Sequence, residues 1–135
     1  MNQHAAILIL SALAGLAAQP AFAETPAEVL ASFQAEAGAN FQAFSAARGE
    51  TFFKARHGDE WSCSSCHTDN PAAAGKHAKT AKAIDPLAPS VNVERFTSLK
   101  KVDKWFKRNC NDVLSRLCTA QEKGDVLAYL LSIKK

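Results

Sequence analysis

The sequence predicts an all-α fold, and three observations support this prediction. Capping boxes at Thr25–Glu28 and Thr119–Glu122 mark the starts of two helices. Apolar residues recur between them at helical spacing, as at Val102, Trp105 and Phe106. No segment shows the strict alternation of apolar and polar residues that is typical of a half-buried strand. The chain of 135 residues is long enough for one small domain.

Four helices are predicted in chain order. They run from Thr25 to Gly38, from about Ser45 to Lys54, from about Ser98 to Arg108, and from Thr119 to the terminal lysines. The stretch from Thr68 to Ser90 is expected to be a loop, because it holds repeated Pro and Gly and few apolar residues. The two tryptophans and the phenylalanines of residues 41–53 are expected to pack in the core.

The first 23 residues have the features of a secretory signal peptide. The apolar run of residues 7–18 is too short to span a bilayer, and it leads to Ala21-Phe22-Ala23, a small-x-small cleavage site. The segment before the run has no Lys or Arg, which is atypical, and an uncleaved membrane anchor is the rival interpretation. We expect cleavage before Glu24, a periplasmic protein without membrane insertion, and a single domain in residues 24–135.

Charge is unevenly distributed along the chain. Residues 24–75 carry three basic and seven acidic side chains, whereas residues 76–135 carry thirteen basic and six acidic ones. A modest basic surface suits either nucleic acid or an acidic protein, and export argues against nucleic acid. We therefore expect an acidic protein partner and no nucleic acid.

Cys63-Ser64-Ser65-Cys66-His67 is a Cys-x-x-Cys-His sequence, the attachment motif of c-type haem. Positions i and i+3 share one face of a helical turn, so the two sulfurs of the motif can reach the two haem vinyl groups. His67 can then place a ring nitrogen under the iron as the proximal ligand. The motif predicts one covalent haem c, attached through Cys63 and Cys66.

Two other interpretations of the four cysteines remain open. Cys63 and Cys66 could be a thioredoxin-like redox pair, although no βαβ pattern surrounds them. All four cysteines could bind zinc, although the spacing of Cys110 and Cys118 is wider than usual and an oxidising compartment favours disulfides. Because Cys110 and Cys118 form a pair apart from the haem motif, we expect a disulfide between them.

The residues alone leave the second axial ligand of the iron undecided. The only methionine is Met1, which is expected to be removed with the signal peptide. His57 and His77 each lie ten residues from His67 and either could bind the iron, but a lone His in a polar stretch is typical of a solvated surface. Lysines are normally protonated, with a reference pKa of about 10.4. The composition therefore predicts an iron that is weakly ligated or open on one side.

Several segments beyond the haem motif match one known pattern. They are Ile84–Pro89, Arg95–Thr97, Val102–Trp105, Arg108–Asn111, Cys118–Thr119 and Ala128–Leu130. Together with the motif, they resemble the family of small cytochromes c that contains the oxygen-binding sphaeroides haem proteins and cytochrome c double-prime. The resemblance covers residues 44–133. It implies a class I cytochrome c-like fold, in which the helix from Ser45 crosses the C-terminal helix and the haem lies between these and the third helix.

The resemblance also implies a distal ligand. In the oxygen-binding members, the residue before the first of the two later cysteines is an Asn that binds ferric iron, and in cytochrome c double-prime it is a His. That residue is Asn109 here, so the resemblance implies that Asn109 is the distal ligand in the ferric state. Asn111 is the adjacent alternative, for which we expect a capping or loop role.

The function implied by the resemblance is acceptance of an electron followed by binding of O₂ or NO at ferrous iron, after release of Asn109. The electron donor in the family resembles a dihaem cytochrome c, so a redox partner is implied. Two alternatives remain open: a plain electron carrier, if His77 were the ligand, and an enzyme that consumes the gas, such as a nitric oxide dioxygenase. We expect a gas-binding electron-transfer protein with no catalytic residue, not an enzyme.

We expect the mature protein to begin at Glu24 and to carry one covalent haem. Intact mass spectrometry after periplasmic expression should find the chain without residues 1–23 plus the mass of a single haem, because thioether bonds survive denaturation. The prediction is wrong if the product retains those residues, or if the haem extracts into acidified organic solvent.

Overall fold

The structure is a computed structural model that describes residues 23–58 and 60–135. The predicted signal peptide, residues 1–23, lies outside the described residues except for Ala23. The α-helices in the described ranges are α1 (Pro26–Ala37), α2 (Ala46–Lys54), α3 (Ser64–His67), α4 (Leu99–Leu114) and α5 (Ala120–Ser132). A 3-10 turn (Gly38–Asn40) and an antiparallel pair, β1 (Gly75–Lys76) and β2 (Ala83–Ile84), are the other elements. None of the helices in the described ranges has the length and apolarity needed to cross a membrane.

The helix starts follow from local capping. At α1 the Thr25 hydroxyl accepts a hydrogen bond from Glu28 N at 3.2 Å, and the Glu28 carboxylate accepts one from Thr25 N at 2.6 Å. Thr119 and Glu122 form the same capping box at α5. Ser45 caps α2 through its hydroxyl. These contacts confirm the predicted starts of three helices.

Helix α4 is longer than the sequence predicts. We expected it to end near Arg108, but it continues to Leu114, so Asn109 lies inside the helix and not at its end. The helix ends at Ser115, whose φ of 55° is left-handed. The prediction for Trp105 was also wrong: its side chain is 51% exposed, because the inward face of α4 follows Val102 and leaves Trp105 on the outside.

The predicted loop between Thr68 and Ser90 is mostly irregular, but it contains the β1–β2 pair. Gly75 pairs with Ile84, and Lys76 pairs with Ala83. A strand of two residues is too short to show an alternation of apolar and polar residues, so the sequence carries no strand signal here.

Helix α5 lies at the centre of the fold and packs against both α2 and α1. Its two sides contribute to two groups of buried side chains. The first core cluster consists of Val29, Phe33, Val102 and Leu127, and the second consists of Phe53, Val126, Tyr129 and Leu130. Phe96 and Phe106 pack against both clusters, so α4 and the segment before it join the two halves of the core.

The crossing of α2 and α5 is a backbone contact. A Cβ at Gly49 would overlap the carbonyl oxygen of Asp125, so the two helices can approach this closely only with glycine at position 49. The buried Asp125 carboxylate accepts hydrogen bonds from Ser45 N at 2.7 Å and from Arg48 Nε and Nη2 at 2.8 and 2.9 Å. This is the helix crossing that the resemblance implied.

We expect Gly49→Ala to lower the free energy of unfolding by about 3 kcal/mol, the upper end for overpacking a core. Helix propensity alone gives the opposite sign, because Ala stabilises a helix by about 1 kcal/mol relative to Gly. Chemical denaturation of the two proteins measures the difference. Ala47→Ser, which adds one atom on the exposed face of α2, is the control and should change stability by less than about 0.5 kcal/mol. A stabilised Gly49→Ala protein would contradict the close crossing.

Candidate functional site

The haem motif lies on α3, a single helical turn. Ser62 N donates to Ser65 Oγ at 3.0 Å, and Ser65 N donates to Ser62 Oγ at 3.0 Å. The N–H groups of Cys66 and His67 both donate to the carbonyl of Cys63, at 3.3 and 3.1 Å. These bonds close the turn and hold the two cysteine side chains one turn apart on the same face.

Neither of the motif cysteines is engaged in a disulfide. Cys63 packs against the second core cluster, and burial raises the pKa of its thiol to about 11. The side chain is therefore neutral at pH 7, which suits an apolar surrounding. Two cysteine sulfurs one turn apart on the same face can form the two thioether bonds to the vinyl groups of a haem.

The redox-pair and zinc alternatives gain no support from the structure. The strands of the described residues form an antiparallel hairpin, and no βαβ unit surrounds the motif. Cys110 and Cys118 are joined in the expected disulfide, so they cannot bind zinc together with Cys63 and Cys66. Within residues 23–58 and 60–135, no group of three or more His, Cys, Asp or Glu side chains could hold a metal ion.

The imidazole of His67 is half-buried beside the second core cluster. Its ring centroid lies 6.3 Å from that of Phe53. Burial, and after it the positive charge of Arg95, lowers the pKa of His67 to about 4. His67 is therefore a neutral imidazole at pH 7, and this is the form that binds a metal ion.

The backbone after His67 is held in an uncommon conformation. Thr68 has φ 62° and ψ 166°, a combination that costs a non-glycine residue about 1–3 kcal/mol. Its hydroxyl donates to the Asn70 carbonyl at 2.8 Å and accepts from Asn70 N at 3.1 Å. These bonds turn the chain sharply away from the motif.

The β1–β2 hairpin lies directly against the motif. A Cβ at Gly75 would overlap the carbonyl oxygen of Cys66, so the hairpin and α3 are in backbone contact. In the turn of the hairpin, Ala78 N donates to the sulfur of Cys66 at 3.4 Å. The hairpin that the sequence did not predict is thus one wall of the site.

The loop that follows the hairpin also packs beside the motif. Leu87 N and Ala88 N donate to the carbonyl of the buried Pro71 at 2.9 and 3.0 Å. Arg95 donates from Nε to the Pro86 carbonyl at 2.9 Å. In the same loop, Ser90 Oγ is buried and has no hydrogen-bond partner among the described residues. A buried hydroxyl without a protein partner is able to bond to a polar group outside the chain, such as a water molecule or a carboxylate of the haem.

Helix α4 brings Asn109 to the inward side of the fold. Val102 and Phe106 belong to the core face of the helix, and Asn109 lies three residues after Phe106 on the same side. Asn109 is half-buried, whereas Asn111 is exposed. Phe106 packs against the second core cluster, which Cys63 also contacts.

The two other histidines are engaged in local contacts. His57 Nε2 lies 2.8 Å from the Phe52 carbonyl, and the rings of these residues are 4.5 Å apart. His77 Nδ1 accepts a hydrogen bond from Thr80 N at 3.3 Å in the hairpin turn. Because the Nδ1 of His77 is an acceptor, its Nε2 carries the proton in the neutral ring.

The residues present fit a covalent haem. The Cys63 thiol, the His67 imidazole and the half-buried Asn109 amide lie on elements that pack against or beside the second core cluster, and Ser90 Oγ is buried without a hydrogen-bond partner among the described residues. Cys63, Cys66, His67 and Asn109 are the residues that would hold the group. Sequence reasoning assigned no role to Arg95 or Ser90, although Arg95 belongs to a matching segment, because neither residue type identifies a haem site by spacing.

Comparison with known proteins gives the family. A family model described as a domain of unknown function (DUF1924) matches residues 39–130. The cytochrome c-type protein SHP of Cereibacter sphaeroides is 43% identical over 129 residues, which is 91% of this chain and 95% of that protein. Cytochrome c'' of Methylophilus methylotrophus is 49% identical over 83 residues, which is 62% of this chain and 58% of that protein.

Solved structures of the same two proteins match the fold. The structure of oxidised SHP, described as an oxygen-binding cytochrome c, has a TM-score of 0.72 and 41% identity and covers 80% of this chain and 96% of its own. A solution structure of cytochrome c'' has a TM-score of 0.71 and 38% identity and covers 82% of this chain and 94% of its own. The chain therefore belongs to the family of small, class I-like c-type cytochromes that contains SHP and cytochrome c'', and haem c is its cofactor.

Proposed function

We propose that this cytochrome accepts one electron and then binds a diatomic gas, O₂ or NO, at ferrous haem. Cys63 and Cys66 attach the haem, His67 is the proximal ligand and Asn109 is the distal ligand of ferric iron. Reduction releases Asn109 and leaves that side of the iron open to the gas.

The position of Asn109 is the observation that carries the proposal. Its half-buried amide continues the core face of α4, and it makes no side-chain hydrogen bond within the described ranges. The next helical residue, Cys110, is buried and tied by its disulfide to Cys118. The disulfide limits how far this turn of α4 can move, so the amide can leave the iron without leaving the site.

The chemistry of an amide suits a ligand that is released on reduction. Its oxygen is a neutral, hard and weak donor, which binds ferric iron better than the softer ferrous iron. The histidines offer stronger donors, and an imidazole that stayed bound to the iron in both states would exclude a gas. The freed amide nitrogen of Asn109 is also a hydrogen-bond donor that could contact a gas molecule.

The relatives support the same reading. SHP is described as an oxygen-binding cytochrome c, and the solution structure of cytochrome c'' is described as giving insight into haem-ligand detachment. Each description applies to the relative whose structure it describes. They support the proposal here because the match to SHP extends over nearly the whole chain.

A plain electron carrier is the main competing function. It requires a second strong ligand, and the described histidine that could serve is His77, whose hairpin lies against Cys66. His57 is a weaker candidate, since its Nε2 is engaged with the Phe52 carbonyl. An enzyme that turns over the bound gas, such as a nitric oxide dioxygenase, is the second alternative; the relatives are named as cytochromes.

We further propose that the protein is exported to the periplasm, because residues 1–23 have the form of a signal peptide.

The outer face of α4 is the proposed docking surface for a redox partner. Its exposed cations, which we call the basic face, are Lys100, Lys101, Lys104, Lys107 and Arg108. None of them forms an ion pair within the described ranges, and Asp103 on the same helix is paired with the buried Lys123 at 3.2 Å. The half-exposed Trp105 lies among these cations, with the Arg108 guanidinium 5.8 Å from its ring centroid. Such a surface favours an acidic partner, consistent with a dihaem cytochrome c that presents carboxylates.

We expect Asn109→Ala to change the absorption spectrum of the ferric protein and to leave that of the ferrous protein nearly unchanged. The wild-type ferric protein should be high-spin or mixed-spin, because an amide oxygen is a weak ligand opposite His67. Asn109→His should shift the ferric protein toward low spin, as two imidazoles do. Absorption and electron paramagnetic resonance spectra of both redox states measure these changes.

His77→Ala is the matched control for the Asn109 substitutions. Under the proposal it leaves the ferric spectrum unchanged, because His77 is not bound to the iron. The reverse result, a changed spectrum in His77→Ala and an unchanged one in Asn109→Ala, would identify His77 as the ligand and favour the electron carrier.

We expect reduction of the protein by a reduced acidic flavodoxin to slow as ionic strength rises, because exposed charges are screened beyond about 10 Å at 0.1 M salt. Lys104→Glu/Lys107→Glu should reduce the rate at low salt and flatten its salt dependence. Lys134→Glu/Lys135→Glu makes the same change in net charge away from α4 and serves as the control. Equal rates in the two double variants would reject docking at the basic face.

A further inference from the structure

We propose that Arg95 is a positioning residue of the haem site, which fixes the loop beside His67 and whose positive charge favours ferrous over ferric iron. The inference deepens the proposed function, because gas binding requires the ferrous state. It rests on His67 as the proximal ligand and is independent of which residue binds on the distal side.

Arg95 holds two successive backbone carbonyls. Its Nε donates to the Pro86 carbonyl at 2.9 Å, and its Nη2 donates to the Asp85 carbonyl at 2.7 Å. The planar guanidinium is suited to this arrangement, because its donors are fixed in a fork, whereas a lysine ammonium is a point charge on a flexible chain. The side chain of Asn92 adds a third, longer bond to the Pro86 carbonyl, at 3.2 Å.

The carbonyls that Arg95 holds belong to the wall of the haem motif. Asp85 follows β2 directly, and the last residue of β2, Ile84, pairs with Gly75, which is in backbone contact with Cys66. On the other side of Pro86, Leu87 N donates to the carbonyl of Pro71 at 2.9 Å, four residues after His67. The Arg95 clamp therefore connects both segments that pack beside the motif.

The charge of Arg95 acts on the same site. The two carbonyls that the guanidinium binds adjoin Ile84, which pairs with Gly75 against Cys66, and Leu87, which is bonded to Pro71, so its positive charge lies beside the haem motif and its field acts there. A ferric haem carries one more positive charge than a ferrous haem, so the same field disfavours the ferric state. Burial and nearby charge are among the means by which proteins set the potential of a haem. The clamp keeps this charge in place, because two of the guanidinium nitrogens are bonded to backbone.

Two substitutions separate the charge of Arg95 from its clamp. Arg95→Gln removes the charge, and Arg95→Lys keeps the charge but cannot bind both carbonyls in the same plane. Arg56→Gln is the control for net charge, because it removes one exposed guanidinium. Arg56 precedes the haem motif in the sequence, whereas Arg95 follows it. Spectroelectrochemical titration of each holoprotein at pH 7 gives the reduction potential, and denaturant unfolding gives the stability.

We expect the ferrous-to-ferric ratio of Arg95→Gln, at a fixed applied potential, to be lower than that of the wild type by a factor on the order of ten, a tenfold change being about 1.4 kcal/mol. Arg95→Lys should retain a potential close to the wild type and lose stability. Arg56→Gln should match the wild type in both measurements. If Arg95→Gln loses stability but keeps the wild-type potential, Arg95 is only a structural clamp and the proposal is overturned. A potential that falls equally in Arg95→Lys would also overturn the role of the charge.

Asn92→Asp keeps the proposal testable if Arg95→Gln does not fold. It leaves Arg95 in place and adds a negative charge beside the Pro86 carbonyl, so the potential should fall, and an unchanged potential would count against the proposal. Carbon monoxide binding by the ferrous wild type measures the gas site separately. If the ferrous wild type binds carbon monoxide but Arg95→Gln keeps the wild-type potential, only the role of Arg95 is rejected. If the wild type does not bind carbon monoxide but the potential of Arg95→Gln is lowered, the proposed function is rejected and the role of Arg95 is supported.

Discussion

Helices α2 and α5 touch backbone to backbone where Gly49 meets the carbonyl of Asp125, and the haem site depends on this contact. The side chain of Asp125 is buried, and its carboxylate is paired with Arg48 and with Ser45 N. The Arg48 side chain is 47% exposed, but Asp125 is buried, so losing these donors would leave a buried charge without compensation. These contacts fix how α2 crosses α5, and the crossing sets where the C-terminal half of α2 lies. Phe53, in that half, enters the second core cluster, which Cys63 contacts directly and beside which the His67 ring lies.

The proposed distal ligand is linked to the same core by α4. Phe106 packs against both clusters, so the position of α4 is set by the packing around α5. The helix carries Asn109 one turn further on, and the disulfide of Cys110 ties that turn to the start of α5. Under the proposal, the Asn109 amide on this restrained helix would leave the iron by a small movement and return to the same place. Such support would suit a weak ligand, because preorganisation lowers the entropy cost of binding.

The sequence predicts the parts of this structure that depend on local chemistry. The starts of α1, α2 and α5 follow from caps that contact residues three positions away, and the haem motif is local to α3. The extension of α4 could not be predicted, because Asn109 and Asn111 have low helix propensity and the packing of Phe106 overrides it. The burial of Lys123 and Asp125 was also missed, since their partners Glu36 and Arg48 are distant in the sequence. Arg95 was missed for a similar reason: its partners are backbone carbonyls, which have no sequence signature.

A pair of crystal structures, one of the ferric protein and one from the same crystals after reduction, tests the proposed release of Asn109 most directly. We expect a bond from the Asn109 amide oxygen to the iron in the ferric crystal and an open position on that side in the reduced crystal. We also expect α4 and the Cys110–Cys118 disulfide to keep their positions. An iron bound by the His77 ring in both states, or by Asn109 in both states, would contradict the proposed release.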